Sequence, residues 1–266
     1  MLIPIHHLED PRLDPYRELK RTNRTRWSGT FIAEGRKVVE RLVASHYETQ
    51  SLLVSRRQLH YLPSESSLGD IPAYVLEQPL AEQLVGYNFH AGVLGCGVRR
   101  PALEIESMLA GLPAQTVLVA CSRVTDPDNL GNIIRLCSGF GVGGLILGPG
   151  CADPFSRRVL RVSMGNLLHL PVRETEDLVA DLQYLHKERF DSVATVLDND
   201  ARSLRHFAAP KRNIVLLGNE SDGLEPELVA LATHRVTIPM QPHTDSLNVS
   251  LAAGIVLYEL TSNRRD

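Results

Sequence analysis

The second half of the chain alternates between short apolar runs and longer segments whose apolar positions recur at helical spacing. Five runs predict buried strands: TVLVACSRV, GLILG, DSVATVLD, NIVLLG and RVTIPM. Helical patterns alternate with them at 130–138, 156–165, 175–187, 225–232 and 247–260. Continuous apolar strands between helices are typical of a mostly parallel sheet covered on both faces. We therefore predict an α/β fold, with its ligand site beyond the carboxyl ends of the strands.

The first hundred residues show the same alternation in smaller elements. The segment GTFIAEGRKVVERLVAS begins as a strand and continues as an amphipathic helix, and SLLVS, AYVLE and AGVLGCGV predict short buried strands. Residues 1–103 are therefore predicted to form a small α/β domain and 114–266 a second one. The linker at 104–113 lies in the stretch RRPALEIESMLAGLPAQ, which contains prolines, a glycine and one short helix.

Composition narrows the class of protein. Of the 266 residues 43% are hydrophobic, but no uncharged apolar run is long enough to predict a membrane span. The first residues show no secretory signal pattern. Four scattered cysteines without a C-x-x-C pair argue against a zinc site and a disulfide framework. We expect a cytoplasmic protein that needs no metal.

Charge is informative only locally. A net charge of −3 argues against non-specific nucleic-acid binding by the whole surface. Two clusters are nevertheless basic: KRTNRTRW near residue 20, and an arginine-rich segment near residue 157. Each is either a solvated helix face or a contact for RNA phosphates. The candidate RNA contacts are Lys20, Arg21, Arg24, Arg26, Arg157 and Arg158.

The loop VTDPDNLGNIIRLCSGFG contains the first candidate chemistry. A strand ends near Val124, a turn follows, and a helix is predicted from about Asn129. Arg135 then lies within this helix among apolar neighbours. Such an arginine either extends along the surface to reach solvent or is directed at a specific partner, and the sequence leaves both readings open.

The loop IVLLGNESDGL follows another strand. Gly218 allows the backbone to approach a ligand closely. Glu220 either caps the following helix or holds a cationic group, because a carboxylate at the end of a strand faces the ligand crevice of an α/β sheet.

The third candidate is IPMQPHTDSLNVSLAAGIVLYEL, in which a polar loop precedes a strongly apolar helix. Asp245 or Ser246 could cap a helix that starts near Leu247. A cap needs only one polar side chain, yet Asn248 and Ser250 follow within the first turn. These additional polar residues indicate a bound ligand or a buried hydrogen-bond network.

Two further patterns match known motifs only by letter. GFGVGG at 139–144 fits G-x-G-x-x-G, but it closes a helix and opens a strand, which is the reverse of a dinucleotide-binding loop. His243, Asp245 and Ser246 supply the residue types of a catalytic triad, but they crowd one loop and no G-x-S-x-G turn is present. A dehydrogenase and a serine hydrolase are therefore disfavoured.

Taken together, the three loops resemble the three motifs of the SpoU/TrmH family of RNA ribose 2′-O-methyltransferases, in the SPOUT class. The matching segments are DPDNLGNIIR, LLGNESDGL and IPM…DSLNVSLAAGIVLYE, in the family's order and relative spacing. The resemblance covers about 116–260. More weakly, FIAEGRKVVERLV and NFHAGVLGCG resemble the small substrate-binding domain found before the catalytic domain in many members.

The resemblance implies a C-terminal sheet with a trefoil knot, although knots are rare among proteins in general. It also implies S-adenosylmethionine as methyl donor, an RNA substrate and a homodimer with sites near the subunit interface. Arg135 matches the family's catalytic arginine, and Asn129, Glu220, Ser246 and Asn248 match its other polar active-site positions. The expected donor-binding residues are Leu217, Gly218, Asn219, Ile238, Met240 and Leu247.

The implied reaction is attack of a ribose 2′-hydroxyl on a sulfonium methyl group. This hydroxyl must lose its proton as it attacks, so a base or stabilisation of the developing alkoxide would help. The family proposal makes Arg135 the base, but a guanidinium stays protonated at physiological pH, so charge stabilisation is an equal alternative. Both ribosomal and transfer RNA fit, and the N-terminal extension favours ribosomal RNA.

One departure from the family pattern concerns the third motif. Many members have a glycine two residues after the motif's methionine, where this chain has Pro242. The backbone that would hold the donor at 240–244 could therefore follow a different path. The alternative function is a non-catalytic RNA-binding or assembly protein that keeps the SPOUT fold. Retention of the full set of polar site residues argues against it, since a binder would not need them all.

Overall fold

The computed structural model describes residues 1–20, 28–198, 200–241 and 246–262. The chain forms two compact units, one of Met1–Pro101 with Asp153–His169 and one of Ala102–Ala152 with Leu170–Asp266. The change between units at 101/102 lies close to the predicted linker. The segment Asp153–His169, which the sequence assigned to the second domain, packs with the first unit.

The first unit is built on a five-stranded sheet of order β1-β4-β3-β5-β2. Strand β5 runs antiparallel to its neighbours β2 and β3, and the other pairs are parallel. The strands predicted from SLLVS, AYVLE and AGVLGCGV are present. The first strand, an edge strand of three residues, was not predicted. The strands are β1 (Leu2–Pro4), β2 (Thr30–Glu34), β3 (Thr49–Ser55), β4 (Ala73–Leu76) and β5 (Val93–Val98).

The second unit contains a seven-stranded sheet of order β10-β12-β9-β11-β6-β7-β8, in which every pair is parallel. The predicted α/β class with a parallel sheet is therefore confirmed. Strands β8 and β10 were not predicted, because both are short and neither contains an apolar run. The strands are β6 (Thr116–Cys121), β7 (Gly144–Leu147), β8 (Val172–Glu174), β9 (Asp191–Thr195), β10 (Arg202–Ser203), β11 (Arg212–Leu217) and β12 (His234–Thr237).

The helices follow the apolar spacing of the sequence. Helix α1 (Arg36–Val43) buries Val38, Val39 and Leu42, which share one face at helical spacing. The helices with described bounds are α1 (Arg36–Val43), α2 (Glu65–Leu68), α3 (Gln78–Val85), α4 (Ile105–Leu109), α5 (Pro127–Gly139), α6 (Arg157–Val162), α7 (Leu178–Lys187), α8 (Pro226–Leu231) and α9 (Val249–Ser262), with 3-10 turns at Pro11–Tyr16, Arg56–Tyr61, Asn166–Leu168 and Leu204–His206.

Within the second unit, parallel strands place the loops of interest at one edge of the sheet. Helix α5 begins after β6, the loop 218–225 follows the adjacent strand β11, and α9 packs against α5. The carboxyl ends of parallel strands lie on the same side of a sheet, so these segments converge there. The trefoil knot stays a prediction. In the part of the chain that the structure describes, no helix is both long and apolar enough to cross a bilayer.

Candidate active site

A hydrogen-bonded chain of side chains joins the three candidate loops. Asn129 donates through Nδ2 to Glu220 Oε1 at 3.1 Å, and its Oδ1 accepts from Asn248 Nδ2 at 2.8 Å. Each of these residues belongs to a different one of the three loop segments, so these hydrogen bonds fix the relative positions of the segments. Asn129 is only 7% exposed and both ends of its amide are used, so its orientation is set by the protein.

Asn248 also begins the last helix. Its Oδ1 accepts from the backbone N of Ser250 at 2.9 Å and of Leu251 at 3.3 Å, and from Ser250 Oγ at 2.7 Å. A side-chain oxygen that accepts from the first free N–H groups of a helix is an N-cap. Helix α9 therefore begins at Val249, two residues later than predicted, and Asn248 rather than Ser246 caps it. Of the two interpretations of these polar residues, a bound ligand or a hydrogen-bond network, the network is present.

Glu220 is the acceptor at the other end of this chain. Its carboxylate accepts from the backbone N of Asp126 at 3.2 Å and from the backbone N and Oγ1 of Thr125, both at 3.4 Å. Partial burial raises the pKa of Glu220, but the hydrogen bonds from Asn129 and from the backbone outweigh it and hold the pKa below its ordinary value. Glu220 is therefore a carboxylate at neutral pH.

Asn219 holds the loop that carries Glu220. Its Nδ2 donates to the backbone carbonyl of Arg123 at 2.8 Å, and its Oδ1 accepts from the backbone N of Ser221 and Asp222. Its backbone N and O pair with those of Gly223 at 2.9 and 3.0 Å. Within the protein these contacts fix the loop that carries Glu220. Binding of the methyl donor by Asn219 stays a prediction.

A second set of contacts ties the loop after β6 to the loop after β11. Ser122 Oγ donates to both carboxylate oxygens of Glu225 at 2.8 and 2.7 Å. The Arg123 guanidinium pairs with Asp222 at 3.0 Å and with Glu225 at 3.1 Å. The two loops are thus held together by hydrogen bonds and ion pairs beside the Asn129–Glu220 contact.

A cavity of about 300 Å³ opens beside this network. Its volume and largely apolar lining fit a small-molecule site with a few polar groups at one side. Glu220 and Ser246 lie on its wall together with most of the expected donor-binding residues. The lining includes Gly218, Asn219, Glu220, Ile238, Met240, Ser246, Leu247, Val249, Ala252 and Val256.

The end of β9 and the loop after it also line this cavity, although their sequence does not mark them as site residues. Thr195 ends that strand, Val196 and Leu197 follow it, and Leu197 is 66% exposed although it is apolar. The available signal was the position of DSVATVLD as a strand whose carboxyl end meets the same edge of the sheet. Leu217, in contrast, is a buried residue of β11 that does not line the cavity, and its carbonyl accepts from Ser122 N at 2.8 Å.

Gly218 is required where β11 turns into this loop. A Cβ at Gly218 would overlap the carbonyl group of Gly223 and the backbone N of Leu224. These are backbone atoms and cannot rotate away as a flexible side chain would. The backbone pairing of Asn219 with Gly223 therefore depends on glycine at 218.

Arg135 lies outside this cavity. It is exposed on α5 and lines a groove between α5 and α9, together with Ser250 and Leu251. Its guanidinium makes no hydrogen bond or ion pair with any residue that the structure describes. Ser250 links this groove to the Asn129–Asn248 hydrogen bonds, because it lines the groove and its Oγ donates to Asn248 Oδ1. Arg135 thus has a side chain available to a substrate next to the Asn129–Asn248 network.

The predicted RNA contacts have different environments. Lys20 and Arg158 are exposed. Arg157 is used within the first unit: its guanidinium donates to Glu34 Oε2 at 3.1 Å, to Tyr87 Oη at 2.8 Å and to the carbonyl of Leu19 at 2.7 Å. These contacts give Arg157 a role in packing α6. Arg21, Arg24 and Arg26 lie outside the described residues, as do His243 and Asp245.

The described ranges contain no group of three or more His, Cys, Asp or Glu side chains placed to hold a metal ion. The four cysteines are free thiols in buried positions. Burial raises the pKa of Cys137 to about 12 and of Cys151 to about 11. These thiols are therefore protonated at neutral pH and pack as small apolar side chains.

The chain is similar in sequence to known RNA methyltransferases. Residues 116–258 match the model of the SpoU rRNA Methylase family. An uncharacterized tRNA/rRNA methyltransferase of Mycobacterium tuberculosis is 34% identical over 260 residues, which is 95% of this chain and 89% of that protein. A 23S rRNA (guanosine(2553)-2′-O)-methyltransferase of Bacillus subtilis is 27% identical, over 96% of this chain and 98% of that protein.

A solved structure has a closely similar fold. The crystal structure of an AdoMet-bound rRNA methyltransferase from Sinorhizobium meliloti superposes with a TM-score of 0.84 at 25% identity, covering 100% of this chain and 99% of that one. The matched family region contains all three candidate loops. The chain therefore belongs to the SpoU rRNA Methylase family.

Proposed function

We propose that the protein transfers a methyl group from S-adenosylmethionine to a ribose 2′-hydroxyl of structured RNA. The observation that carries this proposal is the hydrogen-bonded set Glu220–Asn129–Asn248, which joins the three family motifs and of which Glu220 lies on the cavity wall. Two kinds of relative support it: an RNA 2′-O-methyltransferase similar over nearly the whole chain, and a neighbouring structure described as AdoMet-bound.

The cavity residues fit a donor of this kind. Ile238, Met240, Ala252 and Val256 supply an apolar lining that suits the adenine ring, and Glu220 and Ser246 supply polar groups. Bound S-adenosylmethionine supplies an electrophilic methyl group on a sulfonium. The chain's task is then to hold the ribose hydroxyl in line with that group and to stabilise the charge that develops on its oxygen.

Glu220, Asn129 and Arg135 have separate tasks in this proposal. Glu220 orients Asn129, and Asn129 in turn orients Asn248 at the start of α9. Arg135 supplies a positive charge that no described residue neutralises. A guanidinium stays protonated at physiological pH, so Arg135 fits a role in stabilising the alkoxide or an adjacent RNA phosphate better than the role of a base.

Replacing Glu220 by glutamine tests the orienting role. The folded-state pKa of Glu220 lies below its unfolded value, so the carboxylate stabilises the protein above the unfolded pKa, and this stabilisation is lost as the pH falls through the folded pKa. At neutral pH Glu220→Gln should lower the free energy of unfolding by about 1 kcal/mol, a value reduced for the group's partial exposure. The Tm difference from wild type should narrow as the pH falls, as thermal unfolding followed by circular dichroism would reveal.

Glu176→Gln is the matched control, because Glu176 is exposed. That variant should keep the wild-type dependence of Tm on pH. A Glu220→Gln difference that stayed constant from neutral to acidic pH would contradict the orienting role of the carboxylate.

Ribosomal RNA is the proposed substrate, in a cytoplasmic setting. The support is the B. subtilis relative, whose name specifies 23S rRNA and which matches both units of this chain. The first unit is proposed as the domain that binds this RNA, and the second as the catalytic domain.

A homodimer is also part of the proposal. Leu251, Ile255 and Tyr258 form an apolar stripe on α9 and are 64%, 44% and 60% exposed. Their spacing places them on one helix face beside the Arg135 groove. A second copy could cover this stripe with the same stripe of its own, as in a two-fold symmetric interface.

Ile255→Asp should therefore convert the dimer to a monomer, because a charge placed at the centre of an apolar contact is costly. Sedimentation velocity measures the change. Leu2→Asp, at a similarly exposed leucine of β1, should leave the oligomeric state unchanged. An unaltered sedimentation coefficient for Ile255→Asp would contradict this interface.

The function itself is tested in two steps on the purified protein. Calorimetric titration with S-adenosylmethionine should give saturable binding, despite the proline at position 242. Incubation of protein-free ribosomal RNA with labelled donor should then give methylated RNA whose nuclease digest contains a 2′-O-methylated nucleoside. Donor binding without methyl transfer to ribosomal or transfer RNA would contradict the proposal. RNA binding by a protein that does not bind S-adenosylmethionine would also contradict it, because that is the behaviour of a non-catalytic RNA-binding protein.

A further inference from the structure

A surface patch on the first unit combines exposed rings with cationic side chains. We call it the His46 patch: it consists of His46 and Tyr47 before β3, Arg99 and Arg100 after β5, and His169 at the end of the segment Asp153–His169. Its members come from three separate parts of the sequence. For this reason no basic cluster in the sequence marks it.

The sheet register brings the first two parts together. Strands β3 and β5 are antiparallel, with Thr49 opposite Gly97. Beyond that pair, Val98 N donates to the carbonyl of Glu48 at 2.9 Å. The residues just before β3 therefore lie beside the residues just after β5, at one end of the sheet.

The adjacent rings of His46 and Tyr47 are supported by buried aromatic side chains. The His46 and Tyr47 ring centroids are 4.4 Å apart with an angle of 31° between their planes. Tyr47 packs edge-on against Phe31 and Phe155, each at 5.6 Å, and both phenylalanines are buried. Tyr47 is thus fixed, while His46 is exposed. An exposed ring on a rigid support is what an unpaired nucleic-acid base stacks on.

The two arginines of the patch differ. Arg99 pairs with Asp153 at 3.1 Å and its guanidinium lies 4.6 Å from the centre of the Phe155 ring, so it is part of the support. Arg100 is exposed and makes no hydrogen bond or ion pair with a described residue. Its charge is therefore available to a phosphate.

The neighbours of His46 set its charge state. Partial burial lowers its pKa, and electrostatic repulsion from Arg100 and then from His169 lowers it further. His169 is exposed as well, and the acidic residue at this strand start is the exposed Glu48. At neutral pH His46 is therefore predominantly an uncharged ring beside the Arg100 cation, which suits stacking rather than ion pairing.

We propose that the His46 patch binds an unpaired segment of the RNA substrate, with a base stacked on His46 and adjacent phosphates held by Arg100 and His169. This inference rests on the proposed function, since it names the part of the first unit that meets the RNA. An unpaired segment is required because the faces of paired bases in a helix are covered by their neighbours.

The test compares two double variants in the full-length protein. His46→Ala/Arg100→Gln removes the ring and the available charge of the patch. His60→Ala/Arg57→Gln is matched to it: His60 also contacts a neighbouring tyrosine ring, with centroids 4.5 Å apart, and both residues are exposed after β3, at the strand's opposite end. Filter binding of protein-free ribosomal RNA over a series of salt concentrations gives the affinity and its salt dependence.

We expect the patch variant to bind RNA about ten-fold or more weakly, as loss of one base stack predicts. The slope of log affinity against log salt should fall by about 0.7 for the lost phosphate contact. The control variant should bind like wild type. Wild-type RNA affinity in the patch variant would overturn the inference. A loss of RNA affinity of the same size in the patch and control variants would also overturn it. If the patch variant lost as much affinity for a fully paired RNA duplex as for ribosomal RNA, the requirement for an unpaired segment would be overturned.

Donor titration and methyl transfer separate failure of this inference from failure of the proposed function. The patch variant should keep wild-type donor affinity and kcat but show a raised KM for RNA. If wild type methylates RNA and the patch variant does so with unchanged KM, only the patch inference falls. If wild type binds donor but neither binds nor methylates any RNA, the proposed function falls and the inference with it.

Discussion

Replacing Arg135 by alanine is expected to lower kcat for methyl transfer by about 10² to 10³-fold, the loss typical of removing one group that stabilises developing negative charge. Arg135 is exposed on α5, and no described residue neutralises it. It lines the groove beside Ser250, outside the cavity proposed for the donor. Donor affinity should therefore stay close to wild type, and single-turnover rates with saturating donor and RNA measure the change.

Two controls distinguish the role of the charge from a general disturbance of α5. Asn132→Ala changes another exposed residue that lines the same groove, one helical turn earlier, and should leave kcat nearly unchanged. Arg135→Lys keeps the charge but loses the planar donor fork, and should fall between wild type and the alanine variant. Full turnover by Arg135→Ala would remove this residue from the mechanism, whereas an equal loss in Asn132→Ala would point to a structural effect.

The fold was predictable wherever apolar residues form an uninterrupted run. The runs NIVLLG and TVLVACSRV became adjacent central strands, because a strand covered on both faces by helices needs apolar side chains on both sides. The edge strands Val172–Glu174 and Arg202–Ser203 were missed for the same physical reason. An edge strand is partly exposed, so it is short and polar and has no periodic signal.

The polar residues of the candidate site were predictable from their positions in the three motifs, but their connections were not. Nothing in the sequence shows that Asn129 joins Glu220 to Asn248, because the three residues are far apart along the chain. The cavity wall at Thr195–Leu197 was missed because its residues read as the continuation of an apolar strand. Apolar residues that contact a ligand have the same sequence pattern as apolar residues that fill a core.

Surface arginines were the hardest residues to assign from sequence. Arg157 lies in a basic cluster, yet its guanidinium binds Glu34, Tyr87 and the Leu19 carbonyl. Arg100 has no basic cluster beyond Arg99, yet it is exposed and available. The sequence shows where cationic residues cluster, but it does not show which of them are neutralised by a partner. Tertiary contacts determine that.

Gly218→Ala is expected to abolish donor binding and to destabilise the protein by about 1 to 3 kcal/mol, the usual cost of inserting atoms into closely packed structure. The added Cβ would overlap the Gly223 carbonyl group and the Leu224 backbone N. To relieve this overlap the loop must move, which breaks the backbone pairing of Asn219 with Gly223. The loop also carries Glu220, so the contact with Asn129 would be lost with it.

The measurements are thermal unfolding and calorimetric titration with S-adenosylmethionine, and Gly139→Ala is the control. Gly139 ends α5, and a Cβ added there would point into open space, so alanine should leave Tm and donor affinity unchanged. A Gly218→Ala protein with wild-type Tm and donor affinity would show that the loop relaxes without cost. In that case the backbone closure at Gly223 would not be what shapes the cavity, and the position of Glu220 would have to depend on Asn129 and the Thr125–Asp126 backbone alone.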